Sequence, residues 1–173
     1  MDADPSFESL PIPLNRDLFM RNMLREVASS LDKALGPEGA SHFIGGVGER
    51  TGEHLNIYYR AALGTTRLTR AEVAQSLVDL KPRIQGDFYI VEETDQKIVL
   101  GNRACPFGSK VKGQPALCMM TSSVFGTVAA QNLGYGKVAL DRTIAQGHPE
   151  CRVTVYLKKT VESDAAPGRE YGA

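Results

Sequence analysis

The chain has 173 residues, 42% of them hydrophobic, which suits one domain with a single core. Twenty basic residues balance twenty acidic ones, and this neutral balance argues against a large phosphate-binding surface. No apolar run approaches bilayer length, and the first residues carry no signal pattern. We therefore expect a cytoplasmic protein that makes no membrane contact.

Helical signals dominate the first third of the chain. Residues 1–14 contain three prolines and predict an extended lead-in. A helix follows Asn15 and stops at Gly36, because its apolar residues recur with a 3.6-residue period. The spacing stays helical to about Ala62, although Gly45, Gly46, Gly48 and Gly52 each cost roughly 1 kcal/mol of helix propensity. Such a helix needs tertiary support, either from close packing or from a ligand.

The remaining elements follow from capping, turn and alternation signals. They are a third helix opened by the capping box Thr69–Glu72, a hairpin of strands at 88–91 and 97–100, a fourth helix at 115–133, and a second hairpin of strands at 137–143 and 151–158. This order predicts an α+β fold, with an antiparallel sheet of two hairpins packed against about four helices. One sensory or output domain is expected over 15–159, followed by a disordered polar tail at 160–173.

The three cysteines are the residues most suggestive of chemistry. Cys105 ends the first hairpin, Cys118 lies in the first turn of a helix, and Cys151 begins the last strand. A helix N-terminus favours a thiolate, and three thiolates arriving from three elements can surround one soft metal. An odd number of cysteines also fits poorly with a disulfide framework. Spacing alone leaves an alternative open, in which the three are ordinary buried hydrophobes.

Two weaker sets of candidates accompany the cysteines. His148 is the nearest possible fourth metal ligand, although a solvent-exposed turn histidine is an equally simple interpretation. A ligand pocket is the other hypothesis, since aromatic and sulfur-containing side chains could line an apolar site. Its candidate residues are His54, Tyr58, Met120 and Phe125.

Three motifs carry a family resemblance. Cys105-Pro-Phe-Gly108, Leu117-Cys-Met-Met-Thr121 and Gly147-His-Pro-Glu-Cys-Arg152 resemble the methanogen output domain family, over roughly 15–159. The resemblance implies a domain of a prokaryotic signalling protein.

The last of these motifs is also similar to the 4-vinyl reductase, or hydrocarbon-binding, domain. In that family a cysteine at the position of Cys151 binds zinc, and the domain senses small molecules. Cys118 falls near a second ligand position. The family's zinc-binding glutamate and a nearby cysteine correspond to about Leu140 and Thr143, neither of which can play the ligand role well.

The cysteine pattern further resembles iron–sulfur-sensing repressors of cluster-assembly operons. Cys105, Cys118 and Cys151 match three of their cysteines, whereas the fourth is absent and His148 stands in place of an aspartate. Together the resemblances imply a metal centre, with an iron–sulfur (4Fe-4S) cluster favoured over zinc.

The function expected from the sequence is therefore that of a signalling domain. Its metal centre would sense redox or metal status and pass that state to a signalling or transcription-regulatory protein, or act within a homodimer. No direct nucleic-acid binding is expected. The alternative is a regulatory module that binds an aromatic or apolar ligand, with structural zinc or no metal. We expect no enzymatic activity, because no nucleophile–base pair or paired carboxylates stand out.

Overall fold

A computed structural model describes residues 10–172, so most of the predicted lead-in lies outside the described residues. The helices are α1 (Arg16–Leu63), α2 (Arg70–Asp79), α3 (Cys118–Leu133) and α4 (Val161–Ala165). The strands are β1 (Phe88–Glu93), β2 (Lys97–Asn102), β3 (Gly136–Arg142), β4 (Cys151–Tyr156) and β5 (Arg169–Tyr171). No helix in this part of the chain is long and apolar enough to cross a membrane.

The long helix α1 consists of two helical stretches joined at a kink. Asn15 caps its start by accepting a hydrogen bond from the Leu18 amide at 2.9 Å. Gly36 interrupts it with φ 73° and ψ 172°, a conformation that glycine adopts without steric cost, and Pro37 begins the second stretch. The sequence prediction of two successive helices agrees with this arrangement.

The sheet joins the two predicted hairpins into one antiparallel layer. Its strand order is β1-β2-β4-β3-β5, so β2 and β4 pair at the centre and link the hairpins. Their register sets Asn102 opposite Cys151. The α+β fold with an antiparallel sheet is confirmed, with five strands instead of four.

Helix α3 is the central element of the core. Residues 122–130 are all buried, as expected for a helix covered on every side. The glycines of α1 allow its close approach: a Cβ at Gly48 would lie 2.8 Å from the Ser123 Cβ, and one at Gly52 would lie 3.0 Å from the Thr127 Cβ. The glycine-rich segment therefore serves helix packing, one of the two explanations that its composition allowed.

The C-terminal segment corrects the expectation of a disordered tail at 160–173. Its described part forms α4 and then β5, which adds to the sheet edge beside β3. Tyr171 is 5% exposed, and its hydroxyl lies 2.8 Å from the Ser122 hydroxyl and 3.1 Å from that of Ser123. The polar composition suggested disorder, but one buried aromatic side chain with two hydrogen-bonding partners anchors the segment.

Replacing this anchor tests the role of the segment. Tyr171→Ala is expected to lower the free energy of unfolding by about 3–5 kcal/mol, because a large buried ring is lost. Val161→Ala, at an 89% exposed position of the same segment, is the control and should leave stability nearly unchanged. Urea denaturation of both variants measures the difference. Equal stability of the two would mean that the segment contributes nothing to folding.

Candidate functional site

The three cysteines line one small cavity, which we call the cysteine cavity. Cys105 lies in the irregular segment after β2, Cys118 is the first residue of α3, and Cys151 is the first residue of β4. The cavity has a volume of about 30 Å³. The other side chains that line it are apolar or neutral: Phe88, Asn102, Pro106, Phe107, Val111, Leu117, Thr121, Leu140, Thr143 and Val153. Sulfur is therefore the main donor type at this site.

The sheet register brings the first and last cysteine together. Asn102 pairs with Cys151 across β2 and β4, so Cys105, three residues farther along, stays at the same end of the sheet. The Cys151 sulfur accepts hydrogen bonds from the Ile144 amide at 3.3 Å and from the Asn102 side-chain amide at 3.8 Å. These donors hold the Cys151 side chain in place.

Lys81 lies beside this cavity and is 3% exposed. Its Nζ donates a hydrogen bond to the Thr121 Oγ1 at 2.9 Å. The same nitrogen lies 4.7 Å from the ring centre of Phe88 and 4.9 Å from that of Phe125. Among the described residues, no carboxylate forms a salt bridge with it. A buried ammonium without an anionic partner is unfavourable, so this position is unusual for a lysine.

Burial dominates the pKa values of the groups at this site. It lowers the pKa of Lys81 to about 8, an effect opposed by the nearby Cys105, Cys151 and Cys118. It raises the pKa of Cys118 to about 12, and the pKa of Cys105 also lies above its usual range because of burial. Lys81 and the thiols would therefore stabilise each other's charged forms, whereas the apolar walls disfavour every charge.

The structure does not place His148 with the cysteines. Its side chain is exposed on the turn before β4 and is not among the residues that line the cavity. His148 as placed is therefore not positioned to act as a fourth ligand beside the three cysteines. Within residues 10–172, no three His, Cys, Asp or Glu side chains are grouped closely enough to hold a metal ion as they stand.

The four residues suggested for a ligand pocket are also dispersed. His54 is exposed, and Phe125 is fully buried in the core against Phe88. Tyr58, 67% exposed, and Met120 line two different depressions. The sequence placed them on suitable elements, but the helices direct their side chains to different surfaces.

Sequence reasoning missed Lys81, although a signal for it exists. Val73 and Leu77 are buried on α2, and Lys81 continues their four-residue spacing. The extension of an apolar helix face therefore predicts a buried position. The expectation that lysine is solvated obscured this pattern, and nothing in the sequence indicated three thiols as its neighbours.

The structure also shows a larger depression between the second stretch of α1 and the residues just after α2, which we call the α1–α2 groove. It has a volume of about 420 Å³. Its walls are formed by Thr51, Leu55, Tyr58, Tyr59, Ala62, Leu80, Arg83 and Ile84. It contains no cysteine and is mostly apolar.

The chain is an α+β domain, and its fold is similar to that of a solved structure. That structure is trafficking protein particle complex subunit 3 from Naegleria fowleri, covalently bound to palmitic acid. It superposes with a TM-score of 0.55 at 12% identity, covering 82% of this chain and 96% of the other. At this identity the likeness shows the fold alone.

The sequence identifies the family directly. Residues 20–156 match the family model described as methanogen output domain 1, so the chain belongs to that family. Membership indicates a regulatory or output domain. No curated protein matches the sequence.

The unpaired charge of Lys81 leads to a stability prediction for reduced, metal-free protein. Lys81→Met should stabilise it at pH 7 by about 1–3 kcal/mol, because methionine fills similar space without a buried charge. The unfolded chain holds the lysine proton up to its ordinary pKa of 10.5, whereas the folded chain releases it near 8. Wild-type stability should therefore rise relative to the variant between these pH values.

Urea denaturation at a series of pH values measures both effects. A variant that is less stable than wild type at pH 7 would show that the lysine charge is already balanced in the metal-free protein.

Proposed function

We propose that the chain is a regulatory domain whose input site is the cysteine cavity, where the three cysteines hold a soft metal centre. The observation that carries the proposal is that three cysteines from separate elements line one cavity, beside a buried lysine that has no carboxylate partner among the described residues. Family membership supports the regulatory role, and the cavity supports the thiol chemistry. The proposal assigns no catalytic step to the chain.

The donor set fits a soft metal better than a hard one. The cavity lining offers sulfur from Cys105, Cys118 and Cys151, together with neutral amide and hydroxyl groups, and no carboxylate. Thiolates favour zinc and iron–sulfur clusters, whereas magnesium and calcium require oxygen ligands. A fourth ligand would have to come from Asn102, Thr121, Thr143 or a non-protein group.

The size of the cavity bears on which centre is held. A volume of about 30 Å³ accommodates a single ion or a few waters, whereas a 4Fe-4S cluster needs more room. The segment 103–117, which carries Cys105, contains only the short turns Gly108–Val111 and Pro115–Leu117 between β2 and α3. We propose that this segment adjusts around the centre. When bound, a cluster would supply redox sensitivity, whereas zinc would supply a structural link.

A metal held by these cysteines would connect three parts of the fold. It would tie the end of β2, the start of α3 and the start of β4 to one point. Because α3 packs against α1, its position is linked to the long helix at the surface. Loss of the metal would release these ties, and the domain could present this change to a partner through α1.

The acylated relative does not provide an equally good precedent for the cysteine cavity. A long acyl chain is many times larger than the volume of about 30 Å³ beside the three thiols. The larger α1–α2 groove contains no cysteine that could form a thioester. The cavity volume therefore argues against acylation at Cys105, Cys118 or Cys151.

Metal content tests the proposal. Protein purified without air should contain iron with sulfide and absorb broadly in the visible range, or contain zinc and remain colourless. Cys105→Ser, Cys118→Ser and Cys151→Ser should each lose most of the metal, because each removes a ligand. His148→Ala, an exposed control, should retain it.

Elemental analysis and visible absorption measure the outcome. A wild-type chain that carries no metal and takes up neither zinc nor a reconstituted cluster would contradict the proposal.

A second candidate function is the binding of an apolar or aromatic small molecule in the α1–α2 groove. The groove volume of about 420 Å³ lies within the usual range for ligand pockets, and Tyr58 and Tyr59 provide aromatic surface. It is not the site suggested from the sequence, although it shares Tyr58. Here the metal would be structural or absent.

Blocking the groove tests this second function. Ala62→Trp should abolish any rise in melting temperature that aromatic ligands produce, because the indole would occupy the groove. Ala61→Trp is the matched control at a neighbouring exposed position outside the groove. A thermal-shift screen measures both variants against wild type. Ligands that stabilise Ala62→Trp and wild type equally would exclude the groove as their binding site.

A further inference from the structure

The position of Lys81 gives the cysteine cavity a fixed positive charge at its edge. Two of its contacts, Phe88 and Thr121, are themselves part of the cavity lining. Cys105, Cys118 and Cys151 are near enough to raise its pKa against the effect of burial. The ammonium and the three sulfur atoms therefore share one poorly solvated environment.

Packing alone does not account for a lysine at this position. The site lies two residues beyond the end of α2, in line with that helix's buried face, and the rings of Phe88 and Phe125 are next to the ammonium. A methionine would supply a comparable apolar side chain without a charge to desolvate. The ammonium makes one hydrogen bond, to Thr121, and has no anionic partner among residues 10–172. The charge itself therefore requires an explanation.

A metal–thiolate centre would supply the missing negative charge. Three thiolates around a doubly positive ion leave one net negative charge, and the same holds around a doubly positive 4Fe-4S cluster. One ammonium at the cavity edge neutralises either centre. In the metal-free, protonated state the thiols are neutral, and the ammonium has no counter-charge.

We propose that Lys81 is a positioning residue whose positive charge is the counter-charge of the metal centre in the cysteine cavity. This charge is balanced when the metal centre is present and unbalanced when the metal is lost. This inference rests on the proposed function of the site. Its consequence is a coupling between metal occupancy and local stability. Metal loss leaves a buried cation without a counter-charge, which favours opening of the cavity to water. The metal-free domain is therefore less stable with Lys81 than it would be with a neutral residue at this position.

The test compares variants that remove or retain the charge. Zn²⁺ is added to reduced, metal-free protein in competition with a chelator. Lys81→Met should bind Zn²⁺ about 10–100-fold more weakly than wild type, because a favourable charge is lost from a poorly solvated site. Lys81→Arg retains the charge and should stay within about tenfold of wild type. Lys81→Gln, a second neutral variant, should show the same weakening if Lys81→Met folds poorly.

A buried lysine elsewhere provides the matched control. Lys137 is 7% exposed, and its Nζ donates to the Ser163 carbonyl at 2.7 Å. It pairs with Tyr156, whereas Cys151 lies at the opposite end of β4. Lys137→Met should therefore leave Zn²⁺ affinity unchanged, whatever its effect on stability.

The second measurement is hydrogen exchange of segment 103–117 with and without Zn²⁺. Wild type should gain strong protection on loading, whereas Lys81→Met should already be protected when metal-free and gain less. Weaker Zn²⁺ binding by Lys81→Met, together with stronger exchange protection of its metal-free state, supports the inference. Lost packing alone would lower both the Zn²⁺ affinity and the exchange protection.

The possible failures are distinguishable. If wild type binds Zn²⁺ and Lys81→Met binds it equally well, the counter-charge role is overturned and the metal site stands. If wild type binds neither Zn²⁺ nor a cluster, the proposed function fails, and the inference fails with it.

Discussion

The ammonium of Lys81 lies next to two aromatic rings and beside the cysteine cavity, in a part of the fold that water scarcely reaches. Burying a charge is costly unless an opposite charge or a set of hydrogen bonds compensates for it. The described chain offers one hydroxyl as an acceptor and the sulfur atoms as the groups able to become anions. Cavity chemistry, local stability and the proposed response to metal all depend on whether those sulfurs carry negative charge.

The fold assembles this site from elements that are distant in sequence. Pairing of β2 with β4 sets Asn102 beside Cys151, and the segment after β2 returns Cys105 to the same end of the sheet. Helix α3 begins at the cavity with Cys118 and continues through the core against α1, whose glycines permit close contact. A change at the thiols is therefore connected by direct packing to the longest surface helix. This arrangement is suited to an output domain, the family to which the chain belongs.

Shared architecture does not determine chemistry in this fold. The acylated relative has the same general arrangement at 12% identity, yet the cavity beside these cysteines is far too small for an acyl chain. The larger α1–α2 groove lies elsewhere and is lined mainly by tyrosines and aliphatic side chains. Function must be argued from the residues at each site, and here those residues are sulfur donors and one buried cation.

The sequence by itself determined the helices, the two hairpins, the α+β class and the three cysteines as candidates, because periodicity, caps and turns are local properties. It also contained the family motifs around Cys105, Cys118 and Cys151. Tertiary structure decided which side chains meet. It placed the cysteines on one cavity, left His148 in solvent, anchored the supposed tail through Tyr171, and buried Lys81 beside two residues of the cavity lining. These outcomes depend on strand register and on helix packing between distant segments, which no local pattern specifies.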